Sequence, residues 1–259
     1  MSQYHYTEYI VKPTENNVEQ RIPLMVGRYH AMGDIASKAV STRSYGKPQG
    51  THHTKRNTRM KNNNLRISFL IPARNGSKRL PRKNIRILNG YPLVSHSINH
   101  ALRSKYTGQI IVSSNDTIVE HIVQHYHNQR IVFDKRPEEY CGDKVSTDDV
   151  IRYIETKYDY DVLVLLEPTA PIRDSRDIDY CIDLLIHGNL DSVATVARRC
   201  EYVFIPNGNV FVMRRGKNSY NDNMVCVVLC DEKSIHIDTK FHFDIADLVM
   251  KSGFLKELK

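Results

Sequence analysis

The stretch that decides the fold is Arg66–Arg86, RISFLIPARNGSKRLPRKNIR, in which a short apolar run passes into a long basic turn. The run Arg66–Ile71 ends at Pro72, which is typical of a buried strand. Asn75-Gly76-Ser77 allows a tight turn and exposes backbone N–H groups. Such a loop at the carboxyl end of a strand favours phosphate binding, with a solvated basic loop as the alternative. From Ile71 onward the stretch has six cations and no carboxylate, the cations being Arg74, Lys78, Arg79, Arg82, Lys83 and Arg86.

Strand-like and helix-like segments alternate along the rest of the chain. Helices are predicted at Pro92–Arg103, at Asp116–Tyr126, from the N-capping Ser146–Asp149 to Lys157, at Ser175–His187 and at Lys240–Lys251. Strands are predicted at Gln109–Ser113, Asp161–Leu166, Ser192–Val196, Asn209–Met213 and Val225–Leu229. The alternation predicts an α/β fold, with a mostly parallel sheet and helices on both faces. Ligands of such sheets bind outside the carboxyl ends of the strands, so we expect the chemistry in the loops there.

Residues 1–64 differ from the rest in charge and in apolar content. They hold ten Lys and Arg against four Asp and Glu, which is most of the net charge of +8. Ser44–Asn64 has almost no apolar residues and is predicted to be disordered. We therefore interpret 1–64 as a basic, disordered N-terminal extension and 65–259 as the functional domain. The extension contains a basic cluster, Lys55, Arg56, Arg59 and Lys61. A solvated tail is favoured for this cluster over a nuclear-import or RNA-contacting patch.

The composition, 41% hydrophobic and 25% charged, is that of an ordinary soluble protein. No apolar run approaches the ~20 residues that span a bilayer, and the N-terminus lacks the apolar core of a secretory signal. Five scattered cysteines indicate reduced thiols and no disulfide framework. These features predict a cytoplasmic protein with no membrane partner, or a nuclear one if the basic extension acts as an import signal.

The segment Ile71–Asn84, IPARNGSKRLPRKN, closely resembles the signature of the N-acylneuraminate cytidylyltransferases, or CMP-sialic acid synthetases. That signature runs Pro-Ala-Arg-x-x-Ser-Lys-x-x-Pro-x-Lys-Asn and is neither a Walker loop nor a Gly-x-Gly-x-x-Gly turn. Five further blocks resemble the family in the same order, at Val112–Asp116, Arg136–Thr147, Leu165–Arg173, Pro206–Val212 and Ser234–Thr239. The resemblance covers essentially all of 65–259 and implies a Rossmann-like (GT-A-like) nucleotidyltransferase fold.

The resemblance also implies a reaction and its residues. CMP would pass from CTP to the anomeric hydroxyl of a nonulosonic acid, an acidic nine-carbon sugar, with release of pyrophosphate. Nucleotide-binding residues would be Arg74, Asn75, Gly76, Ser77, Lys83, Asn84, Arg136, Val145 and Thr147, and substrate-binding residues Glu167, Arg173 and Asn207. Arg74, Lys83 and Asp238 would be catalytic, and Asp238 would hold Mg²⁺ or another divalent cation, with His236 beside it.

Three departures from the family pattern leave alternatives open. His236 stands at the first of two paired acidic positions, and Glu167 replaces a glutamine expected to contact the sugar. A carboxylate there would repel the carboxylate of the sugar unless it is protonated or paired with Arg173. Only Arg198–Pro206 stands where the family carries a long dimer-forming insertion, so a homodimer would have to form without it. The alternative function is a catalytically impaired homologue that binds nucleotide or a protein partner without turnover.

Overall fold

The computed structural model describes residues 7–10, 65–200, 203–217 and 223–253. The strands of this part of the chain are β1 (Thr7–Ile10), β2 (Ile67–Pro72), β3 (Ile87–Leu88), β4 (Tyr91–Pro92), β5 (Gln109–Ser114), β6 (Ile131–Lys135), β7 (Val162–Leu165), β8 (Ser192–Cys200), β9 (Val203–Arg214) and β10 (Met224–Val228). Its α-helices are α1 (Leu93–Arg103), α2 (Thr117–Gln124), α3 (Thr147–Lys157), α4 (Ser175–His187) and α5 (Lys240–Lys251). None of these helices is long and apolar enough to cross a membrane.

Eight strands form one sheet in the order β1-β10-β8-β9-β7-β2-β5-β6. Neighbouring strands are parallel except around β9, which is antiparallel to β7 and β8, and at the edge, where β1 is antiparallel to β10. Strands β3 and β4 form a separate small hairpin. The predicted α/β fold with a mostly parallel sheet is confirmed. Strand β2 is an inner strand of this sheet and leads into residues 73–86, called the basic loop below.

The helices cover both faces of the sheet, as predicted. Successive side chains of a strand point to opposite faces. Phe69 and Ile71 of β2 therefore pack in the cluster that contains residues of α1, α2 and α4. Leu70, between them, packs in a second cluster with residues of α3 such as Ile154.

Local capping signals set the helix starts. Ser146 caps α3 and forms a capping box with Asp149, and Asp174 forms the same box with Asp177 at the start of α4. Each box satisfies backbone N–H groups that have no partner inside the helix. The bounds predicted for α4 and α5 agree with the structure.

Strands were harder to predict than helices. Strand β6 was missed because its apolar run is only three residues long, Ile131, Val132 and Phe133. These residues are half-buried at the edge of the sheet. Strands β8 and β9 are longer than predicted and pair with each other. Most of Arg198–Pro206, which the sequence suggested only links two strands, therefore belongs to the strands themselves. That antiparallel pairing is a contact between two segments, which a local pattern does not reveal.

Part of the N-terminal extension joins the sheet. Thr7–Ile10 forms β1 and pairs with β10, with Tyr9 opposite Cys226. The expectation of disorder is therefore wrong for these four residues. Ser44–Asn64 and its basic cluster lie outside the described residues, and the domain boundary after residue 64 stays a prediction.

A third apolar cluster fastens the basic loop to the C-terminal part of the chain. Leu80 of the loop and Leu88 of the β3–β4 hairpin pack with Ile237 and with Ala246 of α5. This packing brings the end of the loop against the segment before α5, where Asp238 lies.

Candidate active site

The basic loop follows β2 and is held by a hydrogen bond across the loop and by another to the segment after β5. The Asn84 side chain donates to the Arg74 carbonyl at 3.0 Å, and the Asn75 backbone N–H donates to Asn115 Oδ1 at 2.9 Å. Gly76 has a φ of 86°, a conformation that favours glycine. The loop therefore turns back on itself and presents Arg74 and Lys83 to one cleft.

That cleft has a volume of about 350 Å³ and combines loop cations with two carboxylates, its lining residues being Arg74, Ser77, Lys78, Arg79, Leu80, Lys83, Asp143 and Asp238. Arg74 donates to Asp143 Oδ1 at 2.9 Å and to the Cys141 carbonyl at 3.2 Å. Lys78 pairs with the same carboxylate, and the hydrogen bonds from Lys78 and Arg74 lower the pKa of Asp143. Asp143 was not predicted as a site residue, although it lies within the family-like block Arg136–Thr147.

Lys83 and Asp238, far apart in the sequence, meet in this cleft. The Lys83 ammonium donates to the Ile237 carbonyl at 2.8 Å and to Asp238 Oδ1 at 3.3 Å. Arg79 lies 3.3 Å from Asp238 Oδ2. Burial lowers the pKa of Lys83 below the ordinary 10.5, and the charge of Asp238 opposes this shift. The structure thus brings together two of the three residues predicted to be catalytic, and Arg74 lines the same cleft.

A second polar cluster adjoins Asp238. Glu167 Oε2 accepts from His236 Nε2 at 3.0 Å and from the Thr169 hydroxyl at 3.2 Å. Burial raises the pKa of Glu167, but the hydrogen bond and charge of His236, the hydrogen bond from Thr169 and the charge of Arg173 together outweigh it, so the net shift is downward. Gly208 has a φ of +67°, and a Cβ atom there would lie only 2.7 Å from Glu167 Oε2. Glycine at 208 therefore leaves the room that Glu167 needs beside His236.

Arg173 donates a hydrogen bond to the backbone of Glu167 and none to its carboxylate. Arg173 is 1% exposed as a residue, and its guanidinium donates to Ser97 Oγ at 2.9 Å and to the backbone carbonyl of Glu167 at 2.8 Å. Burial lowers the pKa of Arg173 to about 9. The hydrogen-bonding partners of the Glu167 carboxylate are His236 and Thr169, and the nearby charge of Arg173 also lowers the pKa of Glu167. Arg173 lies beneath the site and braces its backbone.

Two other predicted binding residues are also buried. Arg136 donates to Ser113 Oγ at 3.0 Å and to the Ser113 carbonyl at 2.8 Å, and burial lowers its pKa. Asn207 donates to Ser234 Oγ at 3.2 Å. Val145 precedes Ser146, the N-cap of α3, and Thr147 is the first residue of that helix. The roles of these four residues in binding stay predictions.

Asp238 and His236 are the predicted metal ligands. His236 Nδ1 lies 3.8 Å from Asp238 Oδ2. Within the described ranges, no three His, Cys, Asp or Glu side chains converge on a metal position. Mg²⁺ that accompanies a nucleotide usually takes one or two protein carboxylates and completes its shell with phosphate and water oxygens. Asp238, at the edge of the basic cleft, fits that kind of site.

The sheet is mostly parallel, and its inner strand β2 leads into a closed basic loop. A carboxylate from a later segment lies opposite that loop. This arrangement is that of an α/β nucleotidyltransferase. A family model described as cytidylyltransferase matches residues 68–246. The chain belongs to this cytidylyltransferase family.

Individual relatives agree with that assignment. The chain is 27% identical over 217 residues to an N-acylneuraminate cytidylyltransferase of Escherichia coli, covering 70% of this chain and 51% of the relative. It is 36% identical over 136 residues to a pseudaminic acid cytidylyltransferase of Campylobacter jejuni, covering 51% and 58%. The chain thus spans about half the length of these curated relatives. A solved CMP:2-keto-3-deoxy-manno-octonic acid synthetase complexed with CTP has a TM-score of 0.57 at 16% identity, covering 72% of this chain and 99% of that one, which shows a shared fold.

Proposed function

We propose that this protein transfers CMP from CTP to the anomeric hydroxyl of a nonulosonic acid and releases pyrophosphate. The observation that carries the proposal is the meeting of Lys83 with Asp238 in the basic cleft. Cations that neutralise phosphate and a carboxylate suited to a divalent cation stand together there. Relatives named for N-acylneuraminate and pseudaminic acid support an acidic sugar as the acceptor.

The cleft residues suit this chemistry in distinct ways. Arg74 offers a planar fork for two phosphate oxygens, and Lys83 offers a compact charge. The sugar hydroxyl, losing its proton to solvent, would attack the α-phosphorus while the bond to the bridging oxygen breaks. The negative charge that collects on the leaving pyrophosphate would be stabilised by Lys83 and Arg74. In this arrangement the nucleotide phosphates replace Asp143 as the partner of Arg74 and Lys78.

Other residues would hold the rest of the two substrates. Asn84, Arg136, Val145 and Thr147 would surround the cytosine and ribose, with backbone donors from Asn75, Gly76 and Ser77 at the phosphates. Glu167, Asn207 and Arg173 would form or brace the sugar side. Asp238 would hold Mg²⁺ or another divalent cation, which offsets negative charge on the phosphates when bound.

The proposal is tested with the purified 259-residue chain, CTP and Mg²⁺. We expect pyrophosphate release with at least one of N-acetylneuraminic, legionaminic and pseudaminic acid, and less with 3-deoxy-manno-octulosonic acid. CTP binding by calorimetry without release from any acid would favour the impaired homologue. No CTP binding at all would reject the proposal.

The lowered pKa of Lys83 predicts an early alkaline limit of activity. Activity that needs the charged ammonium is present at neutral pH and is lost as the pH rises through this pKa, which lies below 10.5. The Lys83→Arg variant keeps its charge at alkaline pH, so its limit should move to higher pH even if its rate is lower. The measurement is kcat/KM for pyrophosphate release from neutral to alkaline pH. An alkaline limit at the same pH in both proteins would show that another group titrates.

A further inference from the structure

The imidazole of His236 is oriented by two neighbours. Its Nε2 lies 2.7 Å from the Thr169 hydroxyl oxygen and 3.0 Å from Glu167 Oε2. The Thr169 hydroxyl donates its own hydrogen to that carboxylate, so its oxygen can accept from the ring. A ring nitrogen this close to two acceptor oxygens must carry hydrogen. In the neutral ring, the lone pair is therefore on Nδ1.

Nδ1 lies near a carboxylate oxygen of Asp238. His236 Nδ1 and Asp238 Oδ2 lie 3.8 Å apart and belong to residues two positions apart. First-row divalent metals bind imidazole nitrogen and carboxylate oxygen at about 2.0–2.2 Å, so a single ion can contact both atoms after a small movement. Arg79, which now pairs with Asp238, is 70% exposed and can move aside.

Glu167 and His236 also match each other chemically. A histidine that binds a metal usually donates its other N–H to a carboxylate, which fixes the ring and strengthens the ligand. An aspartate at 236 would instead place two carboxylates against each other. The two departures from the family pattern, at 167 and 236, are therefore compatible as a pair.

We propose that His236 Nδ1 and Asp238 Oδ2 together bind the divalent cation, that Glu167 positions the imidazole, and that the nitrogen ligand shifts the preference of the site from Mg²⁺ towards metals such as Co²⁺. The inference rests on the proposed function, because the phosphates of CTP complete the coordination. Mg²⁺ favours oxygen ligands only, whereas later first-row metals accept imidazole readily.

Proton NMR of the 259-residue chain with Co²⁺ and CTP tests this inference. We expect one strongly shifted, exchangeable signal from the His236 Nε2 proton, because that proton is held by Glu167 and the ring is bound to a paramagnetic ion. The signal should disappear in His236→Asp. Calorimetry with CTP should show that the Co²⁺ over Mg²⁺ affinity ratio falls about tenfold in that variant.

Variants at 167 separate a positioning role from a general structural one. Glu167→Gln keeps an acceptor oxygen and should retain the shifted signal. Glu167→Ala should lose it and bind Co²⁺ about 10- to 100-fold more weakly, with unchanged thermal unfolding.

CTP binding with Mg²⁺, measured in parallel, separates failure of the metal inference from failure of the proposed function. If CTP binds but Co²⁺ gives no shifted signal, or the affinity ratio is unchanged in His236→Asp, the metal inference is overturned and the proposed function stands. If CTP does not bind, both are rejected.

Discussion

Replacing Lys83 by alanine is expected to slow pyrophosphate release about 100- to 1000-fold, the usual effect of removing one preorganised group that stabilises charge in the transition state. The ammonium is held in place by the Ile237 carbonyl and Asp238, and only 12% of its side chain is exposed. In the alanine variant, water would therefore substitute poorly for the lost ammonium group. The measurement is kcat/KM for CTP, followed by pyrophosphate release at saturating sugar.

Lys78→Ala is the matched control, because Lys78 lines the same cleft but is 80% exposed. Solvent screens such a charge strongly, so we expect a loss below about tenfold. Thermal unfolding of both variants checks that the fold is intact. Equal losses in the two variants, or a Lys83→Ala loss below tenfold with an intact fold, would contradict a special role for Lys83.

Replacing Lys233 by methionine is expected to destabilise the protein by about 3–5 kcal/mol, the cost of removing one partner from a buried ion pair. Lys233 Nζ lies 2.6 Å from Asp177 Oδ2, and both side chains are almost fully buried. The pair joins α4 to the segment that leads to His236 and Asp238. Urea unfolding measures the change in the free energy of unfolding.

The double variant Lys233→Met with Asp177→Asn should regain part of that stability, because it no longer leaves a buried carboxylate facing an apolar side chain. Breaking the exposed pair of α5 by Lys240→Met should leave the free energy of unfolding nearly unchanged. A loss below 1 kcal/mol for Lys233→Met, or a double variant no more stable than the single one, would show that the buried pair matters less than its burial indicates.

Much of the fold was predictable because its signals are local. The caps at Ser146 and Asp174 and the apolar faces of α4 and α5 lie within a few residues of the elements they define. The edge strands β1 and β6 lacked such signals. Both lie at the border of the sheet, where pairing with a neighbouring strand decides their structure.

The candidate site was predictable through family resemblance more than through chemistry. The residues Arg74, Lys83 and Asp238 were named from matched blocks, and the structure brings them to one cleft. Asp143 and Thr169 were not named, although each lies in a matched block, because their importance comes from the partners they contact.

The sequence by itself determined that a strand leads into a basic, turn-rich loop, that strands and helices alternate, and that a cytidylyltransferase-like order of blocks follows. Only the tertiary structure decided how the charges are paired. The loop that has six cations and no carboxylate in the sequence receives Asp143 and Asp238 from elsewhere. Arg173 is buried under the site, and Glu167 takes His236 as its partner. These pairs join residues 60 or more positions apart, and sheet order and helix packing, which no local pattern encodes, set the distances between them.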